Sequence, residues 1–257
     1  MMIDLGQIKN KKGVESKNGI PFIFLQTVKN LNIDEMFYDK IIRPTMFMNQ
    51  DFEFRFFDNE HLEKVIYFHF PARIHQAFLK INPKFGSCVA DFGRYCLLYV
   101  YGGVYLDIKS QTLRSIKPLV ERKEKDLLMV SYWAYKGMHK ERLGLELGEI
   151  QNWVILSSPR HPVIMEVIEE MTKRIYEWRE NEEELIKYQI LELTGPLMFT
   201  DVLKKNLWRE DLLLNEDINN YFEYMSEVCE ENNLREIFYK SQNMIPYENL
   251  ENESIIY

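Results

Sequence analysis

The stretch "YGGVYLDIKS", residues 101–110, sets one carboxylate and one amine two positions apart behind a short apolar run. Asp107 at the end of a buried strand is placed to hold a divalent cation or a phosphate group, because ligand sites in open α/β sheets collect at the carboxyl ends of strands. Read alone, the same residue is a strand-end charge paired with Lys109. Earlier in the chain, Asp91 and Arg94 lie three residues apart within "ADFGRYCLLYVYGG". On a helix that spacing puts both on one face, as a simple ion pair worth roughly 0.2–0.5 kcal/mol or as a shared polar surface for a ligand. Tyr105, two residues before Asp107, points to the same face of a strand, as a core aromatic or as packing for a ligand.

These residues need elements to position them. "IPFIFLQ", 20–26, is a continuous apolar run that predicts a buried first strand. "FEFRFFD", 52–58, alternates and predicts a second strand. "NEHLEKVIYFHF" follows with helical spacing at Leu62, Val65 and Ile66 and ends at Pro71. Ser87 reads as the N-cap of a helix that runs to Tyr101 and stops at Gly102 and Gly103. "VYLDI" is then a short strand ending at Asp107, and "DLLMVSYW" (126–133) and "WVILSS" (153–158) are further strands. In "SPRHPVIMEVIEEMTKRIYEW", Val163, Val167, Met171, Ile175 and Trp178 form one apolar stripe behind an early proline. "TGPLMFTDVLKKNL" opens another helix, with Thr194 or Gly195 at its cap and Pro196 in its first turn. This order of strands and helices is that of an α/β domain with a more helical C-terminal part. Residues 1–18 are polar and expected to be loose, residues 19–257 form one domain, and the tail beyond 210 is acidic and weakly patterned.

The bulk composition narrows the function classes. The chain has 257 residues, is 46% hydrophobic and carries a net charge of −8. A nucleic-acid binder calls for a basic surface, so that partner is not expected. The three cysteines, Cys88, Cys96 and Cys229, lack zinc-site spacing and read as reduced, buried thiols. No leader-like apolar run opens the chain and no stretch reaches 18 apolar residues. The expectation is a soluble, cytoplasmic protein with no membrane span. There is no GxGxxG after a strand, no Walker A loop, no HExxH and no GxSxG. The five histidines, 61, 69, 75, 139 and 161, do not cluster at metal-ligand spacing and read as structural or exposed.

The block "ADFGRYCLLYVYGGVYLDIK" resembles the central motif of the DXD-containing glycosyltransferases of the GT-A fold. The resemblance is to glycosyltransferase family 32, of the initiating α-1,6-mannosyltransferase and capsular-polysaccharide type, which is related to the glucosylating toxin catalytic domains. "IPFIFLQTVK" resembles the family's opening strand, and "NWVILSSPRHPVI" and "LTGPLMFTDVL" resemble later landmarks. The resemblance implies a Rossmann-like mixed sheet flanked by helices. It implies a retaining transferase that moves a hexose from a UDP- or GDP-sugar to a glycan, glycolipid or protein hydroxyl, in polysaccharide biosynthesis. Such a reaction leaves charge on a diphosphate, so the site needs a cation there and oriented groups on the sugar. By resemblance Asp107 is the first Asp of the DXD and holds Mn²⁺ or Mg²⁺. Asp91, Arg94, Tyr105 and Gln26 would contact the donor.

Two positions depart from the family pattern. Lys109 stands where the second Asp belongs, and in a strand it would project beside Asp107, about 6.6 Å away. A protonated lysine does not ligate a metal. It leaves three readings: a metal held by Asp107 with phosphates and water, Lys109 itself neutralising the diphosphate, or a catalytically silent nucleotide-sugar or glycan-binding protein. Val28 stands where the family has an aromatic residue that stacks on the base, so base recognition must differ or come from elsewhere. The loop 133–150, "WAYKGMHKERLGLELGEI", has no readable motif and is expected to be a solvated face.

Overall fold

The computed structural model describes residues 1–8, 19–121, 127–181, 183–225, 227–250 and 253–257. Among these, six strands form the main sheet: β1 (Ile23–Thr27), β2 (Glu53–Phe57), β3 (Gly103–Leu106), β4 (Leu128–Val130), β5 (Val154–Ser157) and β6 (Leu212–Leu214). Their order is β2-β1-β3-β5-β4-β6. β1 runs parallel to β2 and β3, β5 runs antiparallel to β3 and β4, and β6 is parallel to β4. The principal helices are α1 (Asn59–His69), α2 (Ala72–Lys80), α3 (Gly86–Tyr101), α4 (Pro162–Glu177), α5 (Ile186–Leu193), α6 (Pro196–Leu203) and α7 (Leu234–Ser241). The expected mixed α/β sheet flanked by helices is the fold observed.

Alternation along the central strands sorts side chains between two cores. Ile23, Leu25 and Tyr105 join the core under α1 to α4, while Phe24, Val104 and Leu106 join the core on the opposite face with Phe52 and Phe54. All five residues of β1 are buried, as suits a strand covered on both faces. Helix α3 is buried on nearly every side: from Cys88 to Leu98 only Ala90 is partly exposed. It lies close against α1, where a Cβ on Gly93 would stand 2.9 Å from the Leu62 methyls. Tyr105 and α3 therefore share one face of the sheet, which brings Asp91 and Arg94 to the end of β3.

Several sequence expectations are corrected. Residues 2–7, expected to be loose, are ordered: Met2–Asp4 pairs with Asn32–Asp34, and Leu5 is buried. The expectation for 9–18 falls outside the described residues. Ser87 is not the N-cap of α3; the cap is Phe85, two residues earlier, because Asn82 turns the chain there by accepting the Phe85 N–H. The tail beyond 210 supplies a strand of the sheet and helix α7. The three cysteines are buried and free. Among the described residues no helix is long and apolar enough to cross a membrane.

A single residue, Gly102, joins α3 to β3, and the pair Gly102–Gly103 sets the approach of helix and strand. Their φ angles are +62° and +100°. A Cβ on Gly103 would lie 2.4 Å from the Ile23 carbonyl oxygen, and one on Gly102 would lie 2.7 Å from Pro159. Gly103→Ala should therefore destabilise the chain by at least about 2 kcal/mol, through left-handed backbone strain and the clash with β1. Urea unfolding of the variant beside the wild type measures this.

Candidate functional site

The carboxyl ends of β1 and β3 open on a cavity of about 380 Å³. β2 and β3 flank β1 on opposite sides, so this is the crevice where the strand order reverses, the usual ligand position in open α/β sheets. Thr27 and Val28 reach it from β1, Asp91 and Arg94 from α3, and Tyr105 and Asp107 from β3. Asn152 and Trp153 enter at the start of β5, because that strand runs antiparallel to β3.

Arg94 holds these parts together. Its Nη2 lies 3.0 Å from Oδ1 of Asp91 and 3.0 Å from Oδ1 of Asp107, and its Nη1 donates to the Asn152 carbonyl at 2.7 Å. The guanidinium sits 4.7 Å from the centroid of the Tyr105 ring. The Tyr105 hydroxyl donates to Asp107 Oδ1 at 2.9 Å, with Thr27 Oγ1 2.9 Å behind it. Asp91 accepts from Asn152 Nδ2 and Thr194 Oγ1. Asp91 and Arg94 thus form the expected i,i+3 ion pair, and the pair is also part of the cavity wall.

Burial dominates the electrostatics. It pushes the Asp91 carboxyl up to about 6, with Arg94 opposing the shift and Asp107 adding to it. Burial likewise raises the Tyr105 hydroxyl, against the pull of Arg94. Burial costs the Arg94 cation too, but Asp107, Tyr105 and Asp91 outweigh it and hold the proton on more firmly than usual. With both carboxylates ionised the three groups carry one net negative charge. A diphosphate placed beside them needs a further cation.

Two supply routes for that cation lie on the cavity wall. Oδ2 of Asp107 takes no hydrogen bond among the described residues, and Asp107 is the partly exposed member of the pair. Among the described residues no three His, Cys, Asp or Glu side chains group to enclose a metal. One carboxylate oxygen suits a Mn²⁺ or Mg²⁺ ion that arrives on phosphate oxygens and water; it does not suit a resident ion. Lys109 is the second route. The chain does not continue as a strand past Leu106, because the Ser110 N–H turns back to the Asp107 carbonyl at 2.9 Å. Lys109 therefore does not project beside Asp107 as a strand residue would. Its Nζ donates to the Tyr239 hydroxyl at 3.2 Å and lies 4.9 Å from that ring's centroid.

Asp91, Arg94, Tyr105, Asp107 and Lys109 all line the cavity, and Gln26 does not. Gln26 is 3% exposed, and its amide donates to the Leu106 carbonyl at 3.2 Å, tying β1 to β3. Its expected donor contact is corrected to a framework role, since strand alternation turns it away from the opening. Sequence reasoning missed the aromatic wall of Trp133, Trp153 and Tyr224, whose rings meet at 5.0–6.2 Å. It also missed Asn152 and the pair His139–Glu149. The Glu149 carboxyl is raised by burial, against His139 and Trp133. Loop 133–150 is thus not only a solvated face.

The raised Asp91 carboxyl has a consequence for stability. The folded chain holds this proton more tightly than the unfolded chain, so the contribution is full below about pH 3.8 and is lost as pH rises to about 6. Compared with Asp91→Asn, the wild type should lose on the order of 2–3 kcal/mol across that window and nothing further above it. Denaturant melts at half-unit pH steps measure the difference.

Residues 39–126 match the family described as "Glycosyltransferase sugar-binding region containing DXD motif". The chain is 28% identical over 143 residues to the "Initiation-specific alpha-1,6-mannosyltransferase" of Schizosaccharomyces pombe (strain 972 / ATCC 24843), covering 51% of this chain and 35% of that protein. The chain thus spans about a third of that relative's length. The solved structure titled "PaToxG Glycosyltransferase" superposes with a TM-score of 0.50 over 93% of this chain and 84% of that one, at 16% identity, which is a likeness of fold. The matched region contains Asp91, Arg94 and Asp107, and it is similar to the sugar-binding region of the DXD-containing glycosyltransferases.

Proposed function

We propose that the chain is a retaining glycosyltransferase that moves a hexose from a UDP- or GDP-sugar to a hydroxyl of a glycan, glycolipid or protein. The observation that carries this reading is Arg94, held between Asp91 and Asp107 on the cavity wall at the carboxyl end of β3. Asp91 and Arg94 orient sugar hydroxyls and the phosphate side of the donor. Asp107 faces the leaving diphosphate, and Lys109 offsets its charge. A Mn²⁺ or Mg²⁺ ion carried by the diphosphate would add its charge to the leaving group through Asp107. Acceptor attack on the same face as departure gives retention and needs no protein nucleophile. The name of the fission-yeast relative makes a mannosyl donor the first to try. We assign the work to polysaccharide biosynthesis in the cytoplasm, where three free thiols stay reduced, and residues 19–257 to one catalytic domain.

Lys109 in place of a second aspartate, with Val28 in place of a stacking aromatic, favours one rival: a silent nucleotide-sugar or glycan-binding protein on the same fold. Turnover separates the two. Asp107→Ala should lower nucleotide release from the preferred donor at least about 100-fold; an unchanged rate would remove Asp107 from the reaction. Lys109→Asp should make turnover depend on Mn²⁺, read as the ratio of rates with the ion and with EDTA. An unchanged ratio would contradict the phosphate role of Lys109. A wild type that binds a donor in calorimetry and releases no nucleotide would support the rival.

A further inference from the structure

Glu149 is 2% exposed, and among the described residues no Lys or Arg side chain reaches it within ion-pair distance. Its Oε1 accepts from the Trp133 indole N–H, and its Oε2 lies 2.6 Å from Nδ1 of His139. A carboxylate on Nδ1 keeps the ring proton there and leaves the lone pair on Nε2. Nε2 of His139 takes no partner among the described residues, and both His139 and Glu149 line the cavity. The backbone is shaped to hold the two together. His139 has a φ of +54°, a strained value for a residue with a side chain. The Glu149 N–H donates to the Met138 carbonyl at 2.9 Å. Gly148, at φ +76°, passes so near that a Cβ there would meet the Met138 carbonyl oxygen at 2.4 Å. A buried carboxylate with no Lys or Arg partner is costly unless fully hydrogen-bonded. Here its bonds go to one histidine and one cavity-lining tryptophan. Trp133 in turn meets Trp153, whose carbonyl accepts the Asp107 N–H at 2.9 Å, so the pair is tied to the donor side through one aromatic contact.

We propose that His139 and Glu149 form the acceptor-activating pair of this site: Nε2 of His139 takes the proton of the attacking hydroxyl, and Glu149 fixes the ring. The proposal rests on the transferase reading above. In the step, the acceptor O–H bond breaks and its proton goes to Nε2. The acceptor oxygen bonds the anomeric carbon, and the bond from that carbon to the donor diphosphate breaks with its electron pair on the diphosphate. The imidazolium is balanced by the Glu149 carboxylate and returns its proton to solvent or to the departing diphosphate. His139 is the catalytic member and Glu149 a positioning residue.

The test uses the full chain with UDP- and GDP-hexoses as donors and methyl hexosides or water as acceptors. His139→Gln should bind the donor within twofold of wild type in calorimetry and lose at least about 100-fold in kcat. Glu149→Gln should lower kcat and shift the His139 ring away from the Nδ1–H tautomer in long-range ¹H–¹⁵N spectra. A folded His139→Gln protein that keeps kcat within threefold overturns the proposal. So does a wild-type spectrum with the proton on Nε2, whatever the variants do. A wild type that turns over no donor refutes the transferase reading instead, and the acceptor role falls with it.

Discussion

One guanidinium between two carboxylates sets the terms for the rest of this molecule. Arg94 and Asp91 are each almost wholly buried, so neither charge is tolerable alone. The arrangement holds only if α3 lies at a fixed height over β3, so that one Nη2 reaches both Oδ1 atoms at 3.0 Å. That height is set by the one-residue connection at Gly102, by the close pass of Gly103 over Ile23, and by Gly93 against Leu62. Asn152 adds three further bonds, giving its carbonyl to Arg94 and its amide to Asp91 and Tyr95. The site is thus a property of the α3–β3 contact more than of any loop.

The charge balance of this cluster explains the chemistry asked of its surroundings. Two carboxylates and one guanidinium leave a net negative charge against which a diphosphate would be repelled. On the proposed function the offset would come from Lys109, steered onto the Tyr239 ring by the turn after Asp107, and from an ion brought by the phosphates to the open carboxylate oxygen of Asp107. Tyr239 belongs to α7, and the residues after α7 are fastened over the end of β1. Gln242 accepts from the Asn30 N–H and donates to the Asn32 carbonyl. The C-terminal segment therefore does two jobs, covering the mouth of the sheet and seating the lysine.

Much of the scaffold was legible in the chain. Continuous apolar runs marked β1 and β5, alternation marked β2, and the 3.6-residue stripe marked α4, of which Val163, Val167, Met171 and Ile175 are buried as read. The paired glycines marked the end of α3 because their conformation is costly for any other residue. What stayed hidden depends on contacts far apart in sequence. Arg94 meets Asn152 across 58 positions, and Lys109 meets Tyr239 across 130. Gln26 was misjudged because family likeness gives identity at a position but not the face on which the pleat places it. His139 and Glu149 lay in a stretch without hydrophobic period, and they are brought together by a loop that folds back through four positive-φ residues, Gly137, His139, Gly144 and Gly148. A glutamate four residues before the apolar run that opens at Trp153, with an upstream Trp and His, was the one faint signal.

The account turns on where a nucleotide sugar sits. The most direct measurement is a crystal structure of the chain soaked with UDP- and GDP-hexoses. The account predicts a donor in the cavity at the ends of β1 and β3, its hexose against Asp91 and Arg94 and its diphosphate between Asp107 and Lys109. A donor bound elsewhere, or a cavity that stays free of both nucleotides while Arg94 remains locked on its two carboxylates, would contradict it.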